Sequence, residues 1–373
     1  MVSDPGSGSS PRRLVLVAGV GRSGTSLFTS ILGQAGFRVP QPEVNADSTN
    51  PTGFGEPRWV VDFHKRLLRE RRVSVWDSRP SAWQATSQAV DEAPTSRELR
   101  SWLAVQFVGR DHVVVKDPRI GWFLPLWQRA ADDLGIETSF ATLLRHPAQA
   151  VSSAIKWYGD WQSPASRTTS WLNIMLETEQ ATRQSTRVFV RYDNLLDDWW
   201  GEIDRVGAVL DLAVLRDLDD TTRKEIDAFV DPGLHRSRVT WADLGVPAQV
   251  ESMTESAWQQ FVAVAEPGGE SAESLAEFDV AREAYHRFYA EAEDIAQSSL
   301  HALRPGTDGA AVYAGTRSSG VVGTGAGSRG SGADVVIRLA ERILPRSLLR
   351  RVPPVWRARV VRTANRAAGL VRR

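Results

Sequence analysis

Four short apolar runs mark the first half of the chain: "RLVLVAG" at 13–19, "HVVVK" at 112–116, "TSFATLLR" at 138–145 and "RVFVRY" at 187–192. None alternates apolar with polar positions. Such β-branched runs predict strands covered by helices on both sheet faces. Helix-like segments lie over 24–36, 57–72, 96–109, 121–134, 147–158 and 166–184. Strands alternating with helices predict an α/β fold, a P-loop-type three-layer domain with a central parallel sheet. Residues 193–303 read as mostly helical and give that domain a helical C-terminal half.

Patterning also sets the domain limits. Residues 1–12 are polar and expected to be disordered; 13–304 form the folded domain. Residues 305–332, "PGTDGAAVYAGTRSSGVVGTGAGSRGSG", are a Gly/Ser-rich linker. As a flexible coil it spans roughly 30 Å, enough to carry a tail around a body of about 19 Å radius. Within 333–373, Leu339, Ile343, Leu344, Leu348 and Leu349 recur at helical intervals between arginines. This basic amphipathic pattern suits an anionic membrane surface or an acidic patch on a partner.

Charge sharpens the picture. The formal net charge of the 373 residues is zero, but eleven arginines against two acids give the tail +9. A mildly acidic body with a basic tail does not predict a nucleic-acid binder. There are no cysteines, which excludes disulfides and thiolate zinc. The six histidines lack metal-ligand spacing. No apolar run approaches a membrane span, and "MVSDPGSGSSPRR" lacks the core of a signal peptide. A cytoplasmic protein is therefore expected, peripheral at the inner membrane face if the tail binds there. Only four lysines occur, one of them Lys116.

The first run leads into "GVGRSGTS", 19–26. Gly19, Gly21 and Gly24 permit close backbone approach to an anion, and the next helix points its first N–H groups there. Ser23, Thr25 and Ser26 add hydroxyls, and Arg22 adds a fixed charge. An ATP or GTP loop needs lysine where Thr25 stands. The Gly19-x-Gly21-x-x-Gly24 spacing fits a dinucleotide loop, but the acid expected about 20 residues on is missing. A second anion site is predicted at "LLRHPAQAVSSAIKW", 143–157, with Arg145 at a strand end and Ser153 on the helix behind it.

Together the two loops resemble the sulfotransferases that use 3′-phosphoadenosine 5′-phosphosulfate (PAPS). "VVVKDPRIGW" looks like the Lys-Asp-Pro strand end of the bacterial carbohydrate and tyrosylprotein branches, and "VFVRYDNLLDDW" like the family's Arg-Tyr-acid-x-Leu strand end. The resemblance covers about residues 13–200. It implies that Gly21, Arg22, Ser23, Gly24, Thr25 and Ser26 bind the 5′-phosphosulfate. By the same resemblance Arg145 and Ser153 bind the 3′-phosphate, and Tyr192 lies near the adenine. Lys116 and Arg22 would then neutralise charge during transfer, without a metal. The chain departs from the cytosolic small-molecule branch, which has lysine at Arg22 and closes with a glycine-rich basic motif. Here only "DPGLHRSR", 231–238, can take that place, with Arg236 and Arg238 as its cations.

A base is expected in "NPTGFGEPRWVVDFHKRLL", 50–68. Pro57 fits a helix start and puts Glu56 beside the glycine loop. His64, two turns on, is the rival. Fourteen tryptophans, among them Trp59, Trp122, Trp157 and Trp161, offer platforms for a sugar or apolar acceptor, although tryptophan fills cores by default. The expected activity is sulfuryl transfer to a hydroxyl of a glycan, glycolipid or glycosylated metabolite. A P-loop small-molecule kinase and a catalytically silent scaffold are the alternatives.

Overall fold

The computed structural model describes residues 11–47, 53–230 and 239–302, with side chains to residue 297. The chain divides after Leu303. The first ten residues, the linker, the basic tail and the 231–238 motif, with Arg236 and Arg238, lie outside the described residues.

Four parallel strands form the sheet in the order β2-β1-β3-β4. They are β1 (Arg13–Ala18), β2 (His112–Lys116), β3 (Glu137–Leu144) and β4 (Thr186–Arg191). Strand β1 pairs in register with both neighbours, Val15 facing Val114 on one side and Ser139 on the other. Its side chains alternate between two cores. Leu14, Leu16 and Ala18 enter one, Val15 and Val17 the other, and all are buried. That is why the run carries no polar phase: neither face meets water.

Fourteen α-helices are described. The first core receives α2 (Arg58–Glu70), α4 (Ala93–Gln106), α5 (Leu124–Asp132), α6 (Pro147–Tyr158) and α7 (Pro164–Thr182). Residues of α3 (Pro80–Ser87), α13 (Ala248–Ala265) and α14 (Ala272–Ala302) complete it. The second core takes α1 (Thr25–Gln34) with α8 (Tyr192–Asp197), α9 (Trp199–Val209), α10 (Ala213–Arg216) and α11 (Asp220–Phe229). A one-turn α12 (Trp241–Leu244) stands between α11 and α13. In α1, Phe28, Ile31 and Leu32 are fully buried, each adding about 1.5–3 kcal/mol of transfer free energy.

Helix α7 is buried nearly all round despite a polar sequence. Three of its hydroxyls return to the helix backbone: Thr169 Oγ1 donates to Ala165 O, Ser170 Oγ to Ser166 O and Thr182 Oγ1 to Thr178 O. Asn173 Nδ2 donates to the carbonyls of Asp77 and Arg79. Burial without such partners would cost about 1–3 kcal/mol per group.

The strand order matters for function. From β1 the chain runs towards β2, whereas from β3 it runs towards β4. The connections leaving their carboxyl ends therefore diverge and open a crevice above β1 and β3, the usual ligand position of an open α/β sheet. The 19–24 loop leaves β1 at this crevice, and Arg145 follows β3.

Candidate active site

Two glycines shape the loop after β1. Gly19 has φ +118°, and a Cβ there would lie 2.7 Å from Leu143 O of β3. Gly24 has φ +88°, and its Cβ would lie 2.2 Å from the Tyr192 ring. Arg22 also adopts a positive φ, 75°. Gly24 caps α1 without a side-chain hydrogen bond, so the first helical N–H groups have no side-chain cap. Ser23 is fully buried, and its Oγ has no partner among the described residues. A buried hydroxyl of this kind calls for a ligand atom or water.

The second loop meets the first. Arg22 Nε donates to Ser153 Oγ at 3.0 Å, and Arg145 Nη1 donates to Arg22 O at 3.0 Å. Arg145 also lies 4.8 Å over the Tyr192 ring and donates from Nε to Gln149 Oε1. Burial pulls the Arg145 guanidinium below its ordinary pKa, although it remains a cation. The residues expected to hold two phosphates thus come together across 131 positions of sequence. The Tyr192 ring packs under Gly24 and Arg145 and is 8% exposed, so it supports the loop from behind.

Lys116 ends β2 and is 2% exposed. Its Nζ donates to Glu56 Oε1 at 2.6 Å, Phe54 O at 3.1 Å and Ser26 Oγ at 3.3 Å. All three ammonium protons are engaged. Lys116 therefore joins the glycine loop to Glu56 and is not an exposed cation. Glu56, just before α2 with Pro57 in the capping position, is 8% exposed and reaches the cavity described next.

That cavity, about 400 Å³, is lined among others by Gly21, Glu56, Arg119, Tyr158, Trp161 and Arg167. His64, the expected rival base, is not part of its lining. It is fully buried; its Nε2 accepts from Trp127 Nε1 at 2.9 Å, and its Nδ1 lies 3.3 Å from Asp117. Both ring nitrogens are thus turned to core partners. Burial raises the Asp117 pKa, but the Arg119 charge and the His64 and backbone hydrogen bonds outweigh it. The carboxyl is held well below its usual range. Asp117 in turn accepts from Arg119 Nη1 at 2.8 Å, fixing that arginine at the cavity wall. Of the four tryptophans, Trp122 is core, Trp59 stacks between Phe63 and Trp102, and only Trp157 and Trp161 are exposed. Trp161 lines the cavity; Trp157 has Arg22 5.8 Å from its ring.

Tyr158, Arg167 and Trp76 also line this cavity and carried no sequence signal of their own.

No protein-family model and no curated protein matches the chain. Several solved structures resemble it in outline, three of them as follows. The sulfotransferase domain of the Synechococcus PCC 7002 olefin synthase has 16% identity and a TM-score of 0.41, over 69% of this chain and 96% of that one. The sulfotransferase domain of the curacin biosynthetic pathway has 14% identity and a TM-score of 0.38, over 68% and 99%. Sulfotransferase STF1 from Mycobacterium tuberculosis H37Rv has 16% and 0.37, over 66% and 76%.

Proposed function

We infer that the chain transfers a sulfuryl group from PAPS to a hydroxyl of a glycan, glycolipid or glycosylated metabolite. The observation that carries this is the joining of two anion-binding loops through Arg22, Ser153 and Arg145. A nucleotide with phosphates on both sides of its ribose has a use for both loops; ATP has a use for only one.

The chemistry follows from placement. The acceptor oxygen bonds to sulfur while the bond from sulfur to the phosphate oxygen breaks. Such transfers are in-line and loose, with little covalent work for the protein. Glu56 faces the cavity and takes the hydroxyl proton. Lys116 holds that carboxylate at 2.6 Å and ties it to the loop through Ser26. Arg22 and the uncapped start of α1 meet the charge left on the departing phosphate. The direct test is transfer of label from sulfur-labelled PAPS to glycans and glycolipids of a cell extract, by wild type and by Glu56→Gln. Labelled product from wild type and none from the variant is expected. Labelling by γ-labelled ATP instead would establish a kinase.

A further inference from the structure

Arg167 stands apart from the other buried arginines. Arg187 pairs with Glu179 and Glu270, and Arg282 with Asp279. Arg167 has 0% exposure and no carboxylate within ion-pair distance among the described residues. Its one hydrogen bond runs from Nη2 to Gly159 O at 2.7 Å. Its Nε and Nη1 are buried with no partner. Charged groups are almost never left so, because burying an uncompensated charge is among the most costly arrangements in a fold.

The surroundings form a built pocket. Trp161 and Trp76 lie 5.3 and 5.8 Å from the guanidinium carbon, one ring 65% exposed and the other buried. Gln162 Nε2 donates to Trp76 O, tying the Trp161 loop to the Trp76 backbone. Two aromatic rings attract the cation but satisfy no N–H. Arg167 lines the same cavity as Glu56. Asp47 and Asp62 also line it, together with Arg58 and Lys65.

We propose that Arg167 binds an anionic oxygen group of the acceptor, a carboxylate, phosphate or sulfate, while the hydroxyl to be modified lies at Glu56. This rests on sulfuryl transfer at the same cavity, and it narrows the acceptor to molecules that already carry a negative charge. Trp161, the exposed ring over the guanidinium, is the cover that moves as the group enters. A cavity of about 400 Å³ accommodates a monosaccharide with one aromatic or sugar neighbour.

The test is calorimetric titration of the full chain, with and without adenosine 3′,5′-bisphosphate. The probes are 4-nitrophenyl β-D-glucuronide, its 6-phospho-β-D-glucoside and the uncharged β-D-glucoside. Wild type is expected to bind at least one charged glycoside about tenfold or more tightly than the neutral one, a charge-assisted hydrogen bond being worth that much. Which charged glycoside wins tells carboxylate from phosphate. Arg167→Met removes the preference and leaves affinity for adenosine 3′,5′-bisphosphate unchanged. Its melting temperature does not fall, because an unpaired charge leaves the core. Equal binding of all three by wild type overturns the proposal, as does no binding at all, or a preference that survives Arg167→Met. If Arg167→Met fails to fold, a structural arginine is indicated and the proposal falls. Failure of the nucleotide to bind, with the anion preference intact, rejects the PAPS reading alone.

Discussion

Replacing Lys116 by methionine tests the centre of the site. The lysine is 2% exposed and Glu56 8%, with 2.6 Å between their charged atoms. Methionine fills the volume but leaves the Glu56 carboxylate without its cation. Removing one partner of a buried pair costs about 3–5 kcal/mol. Glu56 touches the cavity and recovers some solvation, so about 3 kcal/mol is expected. At roughly 2–4 °C per kcal/mol for a domain of this size, the melting temperature falls by about 6–12 °C. Glu56→Gln keeps an amide oxygen for Nζ, which retains Phe54 O and Ser26 Oγ, so the loss is about 1–2 kcal/mol. The double variant removes both charges and should be less destabilised than the sum of the singles, with a coupling of about 1–3 kcal/mol. Turnover behaves otherwise: Glu56→Gln loses the base and about 10²–10⁴ in rate, and Lys116→Met about 10²–10³. The assays are thermal and urea unfolding and release of adenosine 3′,5′-bisphosphate from PAPS. Strict additivity in stability would refute the buried pair, and a fully active Glu56→Gln enzyme would refute the base.

Gly24→Ala should lower nucleotide affinity at least tenfold with the fold retained, since the methyl would enter the Tyr192 ring. Gly53→Ala is the control in calorimetry: φ there is +94°, but nothing lies within 4 Å of the added methyl, so it carries backbone strain of about 1–2 kcal/mol without the clash. The tail, with its +9 balance, should bring the full chain down with anionic but not neutral vesicles at low salt. Each arginine there contributes about 1 kcal/mol at most, and salt screens it. A chain truncated after Arg304 should stay in the supernatant; equal sedimentation of the two forms would remove the membrane role.

The strands were legible because each run is buried on both faces and bounded by a change of composition: observed ends differ from the expected ones by at most a residue. Helix α4 begins at Ala93, three residues early, because Pro94 sits in its first turn. Helix α3, "PSAWQATS", buries only Ala82 and Thr86 and left no periodic stripe to read. The segment expected at 121–134 begins instead with a 3₁₀ turn, Ile120–Phe123, ahead of α5. At the site, chain order alone brought Arg22, Arg145 and Ser153 into one crevice, since parallel sheet topology dictates where strand ends meet. Partnership was not legible. Nothing in "VVVKDPR" says that Lys116 spends its protons on Glu56, Phe54 and Ser26, or that His64 reaches Trp127 across 63 residues. Arg167 was hidden for a further reason: a polar helix that is buried all round has no hydrophobic face to betray it.

The most direct test of the central claim is calorimetric comparison of adenosine 3′,5′-bisphosphate with ADP and AMP. Arg145 and Ser153 already brace Arg22, but they gain a ligand contact only when a 3′-phosphate is present, and one charge-assisted contact contributes about 1.5–3 kcal/mol. A preference of about tenfold or more for the bisphosphate is expected, largely erased in Arg145→Ala. Equal affinities for the three nucleotides, or a preference for ADP, would contradict it.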